Sequence, residues 1–366
     1  MLRPKFKKTL TLPDAQPIKN LARRLFQSKT MLLSQSTPYQ IIGEYQHASV
    51  RYYPANTRRY REPIVFIPPL AVTVSIYDLY PYRSLIQYLQ QRGFDVYLLN
   101  WQKLSYQHRD LNFLSFIDDI IPECLKIVEA HTDSEHYSLH GWSMGGLFAT
   151  LYTALHQPKA VKNLMVMGAP IDSYRTGWHG QLAQKLNQLL QTYPQVGQYV
   201  YQEKLPKNLI QTPGKLNALV FKLVDLPGWY RSQKRFLQNL HDEKLLQEHS
   251  TMGHYLNQMA DYPGGINQDM MLHVWLQNPL KKGYIQLSDK KIELKSIDCA
   301  LLIGAGSRDT LVAKEAVEPL SQLTSSQDVT FTLIPGGHMG IMSNQETADE
   351  FWPTLATWIE QRSRTL

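Results

Sequence analysis

The pentapeptide Gly141-Trp142-Ser143-Met144-Gly145 has the G-x-S-x-G spacing of a serine nucleophile on a sharp turn. The two glycines allow such a turn, because a side chain at either position would collide where the strand and helix backbones converge. An apolar strand pattern precedes the motif and a helix pattern follows it, as the turn requires. We therefore predict that Ser143 attacks carbonyl carbons.

A serine hydroxyl is a weak nucleophile at neutral pH, so it needs a histidine base and an acid that orients this base. His338 follows the last strand-like segment in a glycine-rich stretch, from which an imidazole can reach Ser143. Asp309 follows the preceding strand-like segment. We favour Asp309 as the acid over the alternative, Asp172, because Pro170 stiffens the segment that carries Asp172. Asp172 could instead cap the helix that follows it.

An oxyanion intermediate needs backbone N–H donors, usually one after the nucleophile and one after an early strand. Met144 supplies the first by its position. The second should come from the segment Ile67–Ala71, and because its two prolines lack an N–H, we predict Leu70 as the donor, with Ala71 next. This chemistry requires no metal and no organic cofactor.

Strand and helix patterns alternate around these residues, which predicts a mostly parallel sheet covered by helices on both faces. A serine on a strand-turn-helix motif in such a sheet is typical of the α/β-hydrolase fold. The first two strands should form an antiparallel hairpin. We expect helices over 79–92 and 113–130. The predicted strands span residues 39–45, 49–53, 64–67, 96–99, 137–140, 163–167, 300–304 and 329–334.

The alternation stops between residues 173 and 288, where we expect helices and no strong strand. We predict that this insertion is a helical cap over the carboxyl ends of the strands, where ligands bind in such sheets; a dimerisation surface is the alternative. The domains are then a basic arm over 1–36, a core over 37–172 and 289–366, and a cap over 173–288. Five aromatic residues of the cap are candidates for an apolar acyl pocket, namely Trp178, Trp229, Tyr230, Tyr255 and Trp275.

Composition and charge limit the compartment and the partners. The 366 residues are 43% hydrophobic and 19% charged, with a net charge of +7 at neutral pH. The first 29 residues hold eight lysines and arginines against Asp14, and Ile18–Phe26 has an amphipathic helical pattern that could pack on the body or lie on an anionic surface. Cys124 and Cys299 are far apart, which argues against disulfides and favours the cytoplasm. We predict no signal peptide, no transmembrane segment and no nucleic-acid partner.

Several segments resemble polyhydroxyalkanoate synthases, in the same order along the chain from about residue 37 to 359. The length is similar to that of the shorter synthases, which work with a second subunit. The resemblance implies an acyl-CoA substrate, a granule location and either a partner subunit or a homodimer. The matching segments are Ile67-Pro68-Pro69-Leu70, Asp95–Trp101, Gly168–Asp172, Asp309–Val312 and Pro335–Gly340.

One departure from this family affects the expected reaction. The synthases carry cysteine at the position of Ser143, and a cysteine acyl-enzyme is a thioester that keeps the acyl group activated for transfer. A serine acyl-enzyme is an oxygen ester of lower energy. We therefore expect a hydrolase or acyltransferase acting on acyl esters or acyl-CoA thioesters. The alternatives are a polyhydroxyalkanoate synthase and a non-catalytic protein that binds a granule or membrane surface through the basic arm.

Overall fold

The fold is an eight-stranded sheet between two layers of helices, seen in a computed structural model that describes residues 16–33, 36–203 and 205–366. The strands are β1 (Gln40–Tyr45), β2 (Ala48–Tyr53), β3 (Ile64–Ile67), β4 (Val96–Trp101), β5 (Tyr137–Trp142), β6 (Val161–Met167), β7 (Tyr284–Leu287), β8 (Lys290–Glu293), β9 (Ala300–Gly306) and β10 (Val329–Ile334). The sheet has the order β1-β2-β4-β3-β5-β6-β9-β10, and β7 and β8 form a separate hairpin. The pairs β1–β2 and β2–β4 are antiparallel and the other pairs are parallel, so β2 alone runs opposite to the other seven strands of the sheet. The predicted fold class is confirmed.

The described residues also form fifteen α-helices, with π-helical turns at Ser115–Ile120, Met270–Leu276 and Thr347–Phe351. The helices are α1 (Gln16–Phe26), α2 (Leu85–Arg92), α3 (Ile121–His131), α4 (Met144–His156), α5 (Gly177–Thr192), α6 (Pro194–Tyr201), α7 (Lys207–Ile210), α8 (Gly214–Val224), α9 (Leu226–Gln238), α10 (Glu243–Asn257), α11 (Gly264–Asp269), α12 (Lys314–Val317), α13 (Leu320–Leu323), α14 (Gly340–Ser343) and α15 (Trp352–Glu360).

Two hydrophobic cores cover the two faces of the sheet. One packs α3 and α4 against the sheet and contains the contacting rings of Phe116 and Phe148. The other contains Phe94 and Trp352 and lies under α2 and α15. Because both faces are buried, the central strands β3 and β5 contain only buried residues, which explains their continuous apolar patterns.

The structure corrects two predicted elements. The helix expected over 79–92 begins only at Leu85, because Pro81 lies in the preceding turn and the Ser84 side chain caps the helix by accepting the Gln87 N–H at 3.1 Å. The segment 173–288 was expected to contain no strong strand, and this is wrong at its end. There β7 pairs with β8 into a hairpin that is too short to give a strong pattern.

Helices α5 to α11 occupy the chain between β6 and the β7–β8 hairpin. The insertion is joined to the core next to the nucleophile, where the Ala260 N–H donates to Ala71 O at 2.9 Å. The domain boundaries given above stay predictions, but this contact and the cavity described below are those expected of a cap.

The amphipathic helix predicted in the arm is α1, which packs on α10. Asn20 donates to Leu240 O at 2.7 Å, and Arg23 pairs with Glu243 at 3.0 Å. Residues 1–15, 34 and 35 of the predicted arm lie outside the described residues. No helix of the described chain combines the length and the apolar character needed to cross a bilayer.

Candidate active site

Ser143 lies on the predicted sharp turn between β5 and α4. Its backbone has φ 56° and ψ −126°, a conformation that side chains rarely adopt. The turn is held because the Ser143 N–H donates to Met167 O in the neighbouring strand at 2.7 Å. A Cβ added at Gly145 would lie 2.1 Å from Ile67 O, so only glycine fits where the turn meets the end of β3.

His338 joins the nucleophile to the acid by two hydrogen bonds. Its Nε2 lies 2.8 Å from Ser143 Oγ, and its Nδ1 lies 2.7 Å from Asp309 Oδ2. Because a carboxylate only accepts hydrogen bonds, Nδ1 carries the proton and Nε2 is left to accept the serine proton. The structure therefore brings together Ser143, His338 and Asp309, the three residues expected from the sequence.

Asp309 is fixed by its own loop. Its other oxygen accepts the backbone N–H groups of Leu311 and Val312, both at 2.9 Å, and its side chain is fully buried. The two loops are tied to each other, since the Arg308 N–H donates to Gly336 O at 2.8 Å. Both loops follow neighbouring parallel strands, β9 and β10, and so leave the sheet at the same edge.

Asp172, the alternative acid, has other partners. It accepts from Asn278 Nδ2 at 2.7 Å and pairs with Arg175 at 3.2 Å. It precedes a short helical turn, but its side chain makes no capping hydrogen bond, so the capping interpretation is wrong. Since His338 Nδ1 bonds to Asp309, the geometry gives Asp172 no place in the hydrogen-bonded series.

The two proposed oxyanion donors lie at the start of α4 and in the loop after β3. Met144 is the first residue of α4, where a backbone N–H has no acceptor within the helix. Leu70 is buried in the loop after β3. This loop is held by Trp101, whose indole N–H donates to Pro68 O at 2.9 Å. The role of the Leu70 and Met144 N–H groups stays a prediction.

A cavity of about 780 Å³ opens above Ser143 and His338. Its walls come from α5 and α8 and its lining is mostly apolar, including Leu186, Val220 and Met270. Of the five aromatic residues expected to line an acyl pocket, only Trp275 does so. Tyr255 is buried in the core, whereas the others are exposed on the surface of α5 and α9.

Contacts between the cap and the acid loop were not predicted from the sequence. His179 of α5 bonds to Leu311 O through Nε2 at 3.1 Å, and Thr310 donates to Asp225, which caps α9. Burial lowers the pKa of His179. Of these contacts, only the cap by Asp225 could have been found in the sequence, because an aspartate directly before Leu226-Pro227-Gly228 is a typical start of a helix.

One cluster in the described chain has the side chains to hold a metal ion. Its members are Glu203, Asp269 and His273, whose ligand atoms all lie within 4.8 Å of one another. Burial raises the pKa of Asp269 to about 6. Glu203 already accepts from Gln268 at 3.1 Å and lies 3.3 Å from His273 Nε2, so the cluster is bonded internally. None of the three lines the cavity above Ser143.

Comparisons with known proteins agree with the observed fold. The family described as alpha/beta hydrolase fold matches residues 62–345. Among solved structures, the chain is similar to a soluble variant of monoglyceride lipase from Saccharomyces cerevisiae, with a TM-score of 0.57 and 14% identity over 91% of this chain and 97% of that one. This likeness shows the fold alone.

The curated relatives include poly(3-hydroxyalkanoate) polymerase subunits PhaC. The chain is 26% identical to the subunit of Haloferax mediterranei over 90% of its own length and 65% of the relative. It is 26% identical to the subunit of Allochromatium vinosum, over 82% of this chain and 81% of the relative. The chain thus spans less than two thirds of the Haloferax relative and most of the Allochromatium one.

Proposed function

The chain belongs to the alpha/beta hydrolase fold family, and we propose that it transfers hydroxyacyl groups from CoA thioesters to the hydroxyl end of a growing polyester. The fold and the relatives make it an enzyme of the hydrolase or acyltransferase type. The observation that carries the proposal is the hydrogen-bonded series Ser143–His338–Asp309 on the floor of an apolar cavity. Similarity to polymerase subunits supports polymerisation more than hydrolysis.

In the acylation step, Ser143 Oγ attacks the thioester carbonyl carbon while His338 Nε2 takes the serine proton. The N–H groups of Met144 and Leu70 hold the oxyanion, and Asp309 stabilises the imidazolium. The carbon–sulfur bond then breaks, and the proton on Nε2 passes to the departing CoA sulfur. This leaves an oxygen ester on Ser143 and a neutral His338.

In the transfer step, His338 takes the proton of an acceptor hydroxyl, whose oxygen attacks the ester carbonyl carbon. The bond to Ser143 Oγ breaks and the serine recovers its proton from Nε2. The product is the chain extended by one ester unit. This transfer exchanges one oxygen ester for another and so has little driving force, whereas hydrolysis of the same ester is favourable. Water must therefore be kept away from the ester on Ser143 during this step.

Hydrolysis is the second candidate, and the serine itself favours it. Water can replace the acceptor hydroxyl in the same step, and the oxygen ester on Ser143 retains less energy for transfer than the thioester of the cysteine synthases. A non-catalytic surface protein is disfavoured, because the serine, histidine and aspartate lie at hydrogen-bonding distances.

Incubation with 3-hydroxybutyryl-CoA tests the proposal. We expect CoA release with insoluble polyester as the main product and little free 3-hydroxybutyrate; CoA release with an equal amount of the free acid would assign hydrolysis instead. Ser143→Ala serves as the blank. In Ser143→Cys, we expect a larger share of polyester, since its acyl-enzyme is a thioester. An unchanged ratio of polyester to free acid would contradict the leaving-group argument.

A further inference from the structure

Two cap helices leave large apolar side chains exposed in regular stripes. On α5 the stripe recurs every three or four residues, and on α8 a second stripe has the same spacing. Their members are between 43% and 62% exposed. Such spacing places each set on one side of its helix. We call these residues the cap face: Trp178, Leu182, Leu186 and Leu189 of α5, Tyr193 directly after α5, and Leu216, Leu219, Val220 and Leu223 of α8.

The cap face is continuous with the cavity above Ser143. Leu182 and Leu186 of α5 line this cavity, as do Leu216 and Val220 of α8, although all four are about half exposed. The two stripes are therefore the rims of the cavity mouth. Soluble monomers rarely expose an apolar patch of this extent, and such patches mark interaction sites.

Positive charge is concentrated in the same part of the chain. Residues 177–238 contain eight lysines and arginines against two acids, Glu203 and Asp225, a net charge of +6 in a chain of net +7. Lys185 lies between Leu182 and Leu186 on α5, and on α8 Lys215 and Lys222 directly precede Leu216 and Leu223. Apolar stripes bordered by cations are characteristic of helices that lie in the interface of an anionic lipid layer.

We propose that the cap face docks on the surface of an anionic phospholipid layer, with the mouth of the Ser143 cavity facing the lipid. The charge argues for this partner over a second copy of the chain, since a symmetric contact through this face would bring two cationic surfaces together. Docking itself needs no catalysis. Its consequence rests on the proposed function: an apolar product could pass from the cavity to the surface without crossing water.

Co-sedimentation with vesicles tests this proposal. The full chain is mixed with vesicles of phosphatidylcholine alone or of phosphatidylcholine and phosphatidylglycerol in equal parts. We expect binding to the anionic vesicles at least about tenfold stronger than to the neutral ones. Ser143→Ala should bind like the wild type, which separates docking from the proposed reaction.

The variants avoid residues that line the cavity. Leu189→Gln, Leu219→Gln and Leu223→Gln combined should weaken binding at least about tenfold, whereas the exposed Leu333→Gln on β10 should not. Lys185→Glu with Lys215→Glu should weaken binding to anionic vesicles. The control is Lys159→Glu, an exposed lysine two residues before β6 and so at the opposite edge of the sheet, which should not weaken binding. Circular dichroism checks that each variant is folded.

Three results would overturn the proposal. The first is equal binding to neutral and anionic vesicles, and the second is unchanged binding by the triple leucine variant. The third is a dimer in light scattering that the triple variant dissociates while vesicle binding is unchanged, which would assign the cap face to contacts between copies.

Discussion

At the scale of single residues, the acid is selected by where its loop leaves the sheet. Asp309 follows β9 and His338 follows the adjacent β10, so parallel pairing brings the two side chains together. Asp172 follows β6, on the far side of β9, and bonds to Asn278 and Arg175 instead. Proximity along one sheet edge therefore decides between two aspartates whose sequence contexts are similar.

Substitution of each aspartate separates their roles. Asp309→Asn should lower kcat/KM for p-nitrophenyl esters by about 10³- to 10⁴-fold, because the amide favours the wrong imidazole tautomer. Asp172→Asn should change kcat/KM by less than about threefold, since its amide can still bond to Asn278. A loss in Asp172→Asn equal to that in Asp309→Asn, with both proteins folded, would contradict this assignment.

The sequence was sufficient to predict Ser143, His338 and Asp309, because each lies in a short motif at the end of a strand. It was not sufficient for the residues that hold them. Trp101 bonds to Pro68 O, and His179 bonds to Leu311 O across 132 positions. Neither contact leaves a local pattern, because each depends on how distant segments pack.

At the scale of elements, the strand that carries the nucleophile also contains a buried histidine. His140 of β5 is almost fully buried, with its ring centroid 4.7 Å from that of Phe66 and 6.2 Å from that of Tyr77. Burial lowers the pKa of His140 to about 3. The folded chain therefore keeps this imidazole neutral, whereas in the unfolded chain its pKa is about 6.5.

This difference predicts a pH dependence of stability. As the pH falls below about 6.5, the unfolded state takes up a proton that folded His140 does not, so stability is lost between this pH and about 3. From pH 7 to pH 5, His140 should account for a loss of about 2 kcal/mol. Urea unfolding at pH 7 and at pH 5 should show that the free energy of unfolding falls by about 2 kcal/mol less in His140→Gln than in the wild type. The exposed His254→Gln is the control, and equal losses in both variants would contradict the effect.

Elements with strong hydrophobic patterns were predicted to within a few residues. Where the pattern was weak or interrupted, the start of a helix or a whole hairpin was missed. Strands β3 and β10 match the predicted ranges, since both are continuous runs of apolar and β-branched residues. The start of α2 was missed because Pro81 and the Ser84 cap lie inside an otherwise helical pattern. Hairpin β7–β8 was missed because four-residue strands show too little alternation.

At the scale of the whole molecule, the cavity above Ser143 is built by the core and the cap together. The core supplies the floor with Ser143 and His338, and α5 and α8 supply the apolar walls. The side chains of these walls should therefore limit the length of the acyl chains that fit. Val220 of α8 lines the cavity, whereas Leu219, its neighbour on the same helix, does not.

Filling this wall should change chain-length preference. Val220→Trp narrows the cavity, so kcat/KM for p-nitrophenyl octanoate relative to the acetate should fall by about tenfold. Leu219→Trp adds the same indole outside the cavity and should leave the ratio unchanged. An equal ratio in the two variants would place the acyl chain elsewhere.

The proposed reaction depends on an acyl ester on Ser143, which mass spectrometry can detect. The protein is quenched during turnover of 3-hydroxybutyryl-CoA, digested, and the peptide that contains residue 143 is analysed. We predict 3-hydroxybutyryl units attached to Ser143 and to no other residue, and no acylated peptide in Ser143→Ala. Acyl groups on a different side chain, or continued CoA release by Ser143→Ala without any acyl-enzyme, would contradict it.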